Sequence, residues 1–79
     1  MKATVFVTYK PGVLDPQGQT VCGFLQNRGE SRVRNVRIGK LVEFDLSDMS
    51  REEASRLLDD VGRTLLANPV IETYRVEVP

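Results

Sequence analysis

A chain of 79 residues carrying 11 basic and 11 acidic side chains is long enough for one small core and has no charge excess to draw it to a nucleic-acid backbone or an anionic membrane. It contains no histidine and one cysteine, Cys22, which excludes an internal disulfide, the common transition-metal ligand sets and a Ser/His or Cys/His nucleophile. No apolar run approaches the roughly 20 residues of a membrane span and no signal core follows Met1, so the sequence reads as a cytoplasmic protein of one domain, residues 1–79, small enough to expect help from another chain.

In chain order, residues 3–9 alternate Ala3, Val5, Val7 and Tyr9 with Thr4, Phe6 and Thr8, the period of a strand. The stretch KPGVLDPQG, residues 10–18, follows. Its Asp15 suits an N-cap and Pro16 the first helical position, so Pro16–Arg28 is expected as a helix, stopped at Gly29, with Val21, Cys22, Phe24 and Leu25 as its apolar positions. Gly18 and Gly23 weaken it. Residues 33–46 read as two strands: Val36 and Ile38 share a face, then Val42, Phe44 and Leu46 alternate with Glu43 and Asp45, and Gly39–Lys40 marks the turn. Ser50 and Glu53 form a capping box ahead of the stripe Ala54, Leu57, Leu58, Val61 and Leu65. Pro69 ends that helix near Asn68. Residues 70–78 form the last strand, with Tyr74, Val76 and Val78 on one face.

The order βαββαβ predicts an α+β, ferredoxin-like fold with a four-stranded antiparallel sheet and both helices on one face. The opposite face then presents Phe6 as the natural contact for another copy or another protein.

Little catalytic chemistry is available. Glu52, Glu53, Asp59 and Asp60 lie on a helix whose other side is core, which makes them a solvated face. Lys10, Gly12 and Gly18 flank a helix N-terminus, a place that favours anions, but Asp15 puts a negative charge there and no phosphate-binding fingerprint is present. An RNA-binding sheet of this topology would need several outward aromatics, and only Phe6 qualifies. Arg34, Arg37 and Lys40 face Glu43 and Asp45, which cross-strand charge pairing explains.

Three blocks, KPGVLDPQG, then VRIGK at residues 36–40, then LLANPVIETY at residues 65–74, together resemble the PurS subunits of phosphoribosylformylglycinamidine (FGAM) synthase. The resemblance implies a subunit without catalytic residues or a bound cofactor, in a complex that uses ATP and magnesium to turn formylglycinamide ribonucleotide and glutamine into the amidine and glutamate. It implies a homodimer, with a tetramer as a further step, that joins a glutaminase subunit to a large synthetase subunit and assists ammonia transfer. The matching positions Lys10, Pro11, Gly12, Asp15, Pro16, Gly18, Arg37, Gly39, Lys40, Asn68 and Pro69 become the expected partner interface, because rigid loops present a surface at small ordering cost. Residues 28–32 keep Gly29 but lack the aromatic that often follows it in that family, and Gly62 stands where a cysteine is common. The alternative is a small-ligand regulatory module of the same fold, with a metabolite between the chains of a dimer. An acylphosphatase-like enzyme is a weaker third, because the phosphate-cradling loop is missing.

Overall fold

Strict alternation in the first residues makes a strand whose every second side chain is hidden. The computed structural model describes residues 1–79. Strand β1 (Lys2–Tyr9) leads to helix α1 (Pro16–Asn27), strand β2 (Lys40–Asp45), helix α2 (Arg51–Val61) and strand β3 (Glu72–Glu77). The strands form an antiparallel sheet in the order β2-β1-β3. Central β1 places Val5 opposite Val42 on one side and Val76 on the other.

Ala3, Val5 and Val7 point to one side of the sheet and are essentially inaccessible, as is Leu58 of α2, and Phe44, Leu46, Tyr74, Val76 and Val78 pack around them. Helix α2 starts where the capping box demands: the Glu53 N–H donates to Ser50 Oγ and the Ser50 N–H to Glu53 Oε1, both at 3.1 Å. It runs into one π-helical turn, Gly62–Leu66, closed by the Ala67 N–H on the Gly62 carbonyl at 3.0 Å. A Cβ on Gly62 would stand 2.7 Å from the Tyr74 ring. The bare glycine therefore lets that ring pack on the helix while its hydroxyl donates to Asp59 Oδ1 at 2.7 Å.

Two expectations are corrected. The sheet has three strands, not four, because residues 31–39 contain no strand. Asn35 sits at φ 55°, which breaks an extended run. The Ile38 N–H, which a sheet ladder would use, is taken by the Asp15 carboxylate. Nor do both helices cover the sheet: no residue of α1 belongs to the core or packs against it. Helix α1 lies instead along residues 33–38, where the Gln26 amide and the Cys22 thiol both reach the Val33 carbonyl, at 3.1 and 3.7 Å. The result is a body (the sheet, α2 and the π turn) and an arm (α1 with residues 33–38). The radius of gyration of 15.9 Å and extents of 50 × 25 × 14 Å compare with roughly 12 Å expected for a compact chain of this length.

Candidate functional site

The connection from β1 to α1 is short and its φ angles are restricted, so its polar groups have few places to go. Gly12 adopts φ 85°, open to glycine at little cost, and the Val13 N–H closes the turn on the Lys10 carbonyl at 3.1 Å. Asp15 then caps α1. Its Oδ1 accepts the Gly18 N–H and its Oδ2 the Ile38 N–H, both at 2.8 Å. Those two N–H groups, with a smaller contribution from the Arg37 charge, hold the Asp15 carboxyl below its ordinary value, since hydrogen bonds to the ionised form favour it. Asp15 is 3% exposed.

Arg37 fixes the same connection from the other side, donating through Nη1 to the Val13 carbonyl at 3.0 Å and through Nη2 to the Lys10 carbonyl at 3.1 Å. Close backbone approach completes the junction. A Cβ on Gly18 would fall 2.1 Å from the Val36 carbonyl oxygen, and one on Gly39 would fall 2.3 Å from that of Val7. Lys10 ties in the 67–71 turn, its Nζ donating to the Pro69 carbonyl at 2.7 Å and its N–H to that of Ile71 at 2.8 Å. Asn68 shapes that turn: its side-chain carbonyl accepts the Val70 N–H at 3.1 Å, and its own N–H donates to Glu72 at 2.6 Å.

The three sequence blocks thus meet at one end of the sheet. Lys10, Asp15, Gly18, Arg37, Gly39, Asn68 and Pro69 form one connected junction, while Pro11, Gly12, Pro16 and Lys40 are exposed around it. Phe6 is not part of it. It lies on the uncovered face of the sheet, directly across from Arg75, whose guanidinium sits 4.2 Å from the ring centroid. A groove of about 530 Å³ opens beside the junction, lined by Gly12, Asp15, Gly18 and Arg37 together with Leu14 and Cys22.

Chemically the junction is already engaged. Both Asp15 oxygens and both terminal nitrogens of Arg37 bond to backbone, and the α1 N-terminus that an anion would need is capped by Asp15. Sequence reasoning found Asp15 as a cap but missed its second bond, to a residue 23 positions away. Val21 and Phe24, read from the sequence as apolar positions of the helix, are exposed together with Leu14, Phe24 to 61% and Leu14 to 64%. An apolar stripe shows that a helix needs a partner, and does not show which chain supplies it.

A family model described as "PurS: Phosphoribosylformylglycinamidine (FGAM) synthase" matches residues 2–79. The phosphoribosylformylglycinamidine synthase subunit PurS of Synechocystis sp. is 45% identical over 74 residues, covering 94% of this chain and 74% of that protein. That of Bacillus subtilis is 42% identical over 77 residues, covering 98% and 90%. Among solved structures, Methanocaldococcus jannaschii PurS superimposes with a TM-score of 0.87 at 33% identity, over 99% of this chain and 94% of that one. A chain of the PurLQS structure from Thermotoga maritima does so with a TM-score of 0.85 at 30% identity, over 96% and 93%.

Proposed function

We propose, from the premise that this chain belongs to the PurS family of FGAM synthase subunits in purine biosynthesis, that it is the non-catalytic piece joining the glutaminase subunit to the large synthetase subunit. In that role it assists the passage of ammonia from glutamine hydrolysis to the amidine-forming site. ATP and magnesium act on the synthetase subunit, and this chain holds no cofactor. It works in the cytoplasm as a homodimer, and dimers pair further through the Phe6 face.

The observation that carries this reading is the junction. The side chains of Lys10, Asp15, Arg37 and Asn68 are spent on fixing three connections to one another, which supports an exposed rim at Pro11, Gly12, Pro16 and Lys40. A rim held by bonds of its own loses little conformational freedom when a partner docks. Asn68 and Pro69 extend the same rim on the side of the body.

The test is reconstitution of the glutaminase and synthetase subunits with and without this chain, comparing amidine formation driven by glutamine with that driven by ammonium salt. Omission is expected to abolish only the glutamine-driven rate. If neither rate changes, the joining role fails. The ligand-binding alternative has the groove beside Arg37 in its favour. Calorimetry against amino acids and nucleotides separates it, since a regulatory module binds one of them without the other subunits.

A further inference from the structure

The junction occupies the end of the sheet where Tyr9 pairs with Glu72 and Val7 with Lys40. The other end, where Lys2 pairs with Asp45 and Thr4 with Glu77, carries an open groove of about 890 Å³. It runs between the flank of α2 that bears Arg51, Ser55 and Arg56 and the last residues of the chain, 76–79. Val76, Val78 and Pro79 are its only apolar lining. Small molecules seat in mostly apolar cavities, so a polar groove of this kind suits a segment of another protein.

The charges around the groove are unevenly committed. Its acids are engaged: Asp59 accepts the Tyr74 hydroxyl at 2.7 Å, and Glu77 pairs with Arg75. Lys2 is engaged too, with Glu43 at 3.2 Å. Along α2, Glu53 is spent on the Ser50 cap and Asp60 on Arg63. Glu52 stands beside Arg51 and Arg56 in a second recess, outside the groove. Arg51 and Arg56 belong to none of the chain's ion pairs, and both are exposed. A free guanidinium presents a planar fork that takes a carboxylate through two hydrogen bonds.

Their spacing narrows the occupant. Five positions along α2 separate Arg51 from Arg56, a rise of roughly 7.5 Å. Alternate side chains of an extended chain point the same way and stand roughly 6.8 Å apart. Two acids with one residue between them therefore reach both guanidiniums at once.

We infer that this groove takes an extended acidic segment of one of the two subunits that the chain joins, with alternate carboxylates on Arg51 and Arg56. This rests on the joining role proposed above and supplies its second surface. Strand β1, with eight residues, sets the groove and the junction rim roughly 24 Å apart, so two partners dock without colliding. Charge pairing at an open groove also makes the association depend on salt.

The affinity of the full-length chain for the purified glutaminase and synthetase subunits, each measured alone over a range of salt concentrations, tests this. Arg51→Glu combined with Arg56→Glu is expected to weaken binding to one subunit at least tenfold, flatten its salt dependence and leave the other subunit's affinity unchanged. Arg51→Gln combined with Arg56→Gln removes the charges without reversing them, and should give a smaller loss toward the same subunit even if charge reversal disturbs the helix. Carbodiimide should couple the amine introduced by Arg56→Lys to an acidic residue of that subunit, located by mass spectrometry. Unchanged affinity for both subunits in both double variants overturns the groove and leaves the joining role standing. Equal weakening toward both subunits marks a general charge effect and also overturns it. Binding of inorganic phosphate or a nucleotide to the free chain, lost on charge reversal, gives the groove to a small anion and overturns the acidic segment. A parent chain that binds neither subunit overturns the groove and the joining role together.

Discussion

The body and the arm of this chain are held together by different physics. In the body, a β-branched row on β1 and Leu58 of α2 exclude water completely, so stability there is a matter of packed apolar volume. In the arm, the contacts are an Asp15 carboxylate on two N–H groups, an Arg37 guanidinium on two carbonyls and a glycine pressed against a carbonyl. Apolar packing specifies a core but tolerates adjustment, whereas fixed hydrogen bonds specify an angle. The body resists unfolding, and the arm holds a direction.

The largest expected effect separates the two. Leu58→Ala removes a fully buried side chain and should cost about 2–5 kcal/mol, a large part of the roughly 4–12 kcal/mol expected for a domain of this size. Urea denaturation measures it. Phe24→Ala, on the exposed side of the arm, should change the stability of the isolated chain by about 0.5 kcal/mol or less. Equal losses in the two variants at high dilution would show that the arm is part of the chain's own core.

The second effect falls on the angle. Gly18→Ala places a Cβ 2.1 Å from the Val36 carbonyl oxygen, and neither side is a flexible side chain, so α1 and residues 33–38 must separate. A loss of about 1–3 kcal/mol is expected, together with faster hydrogen exchange at the Ile38 amide but not at Val5. Arg37→Ala should move the same amide less, because exposed hydrogen bonds of this kind contribute only about 0.5–1.5 kcal/mol net.

This contrast also explains what could be read from the sequence. The body was legible because its signals are local and periodic: alternation in β1 and β3, the Ser50–Glu53 box, the stripe ending before Pro69. The start of α1 was legible for the same reason, since Asp15 and Pro16 are adjacent. The arm's placement was not, because it depends on Asp15 meeting Ile38 and Arg37 meeting Lys10 and Val13 across more than 20 residues. Val36 and Ile38 do alternate like a strand, and only the bond to Asp15 and the left-handed Asn35 show why that alternation is not used in a sheet. Of the expected interface, the turn-forming roles of glycine and proline could be read directly. The convergence of three distant blocks at one end of the sheet needed coordinates.

The smallest expected effect distinguishes the regions by pH. Asp15 in the arm and Glu53 in the body are both held below their ordinary values, 3.8 and 4.5, chiefly by backbone N–H donors: Ile38 and Gly18 for the first, Ser50 for the second. A carboxyl whose folded value is lowered lets the unfolded chain take up the proton first. Its contribution is therefore complete above the unfolded value and disappears as pH falls through the lower folded one. On acidification the α2 cap should begin to weaken near pH 4.5, and the arm's anchor only nearer 3.8. Amide exchange at Glu53 and at Ile38, followed as pH is lowered, should show the cap loosening first. In Asp15→Asn the Ile38 amide should exchange faster with no acid transition of its own, because asparagine has one acceptor oxygen where the carboxylate sets one oxygen on each N–H. If Ile38 in the parent chain loosens together with Glu53, the arm is not anchored independently of the body.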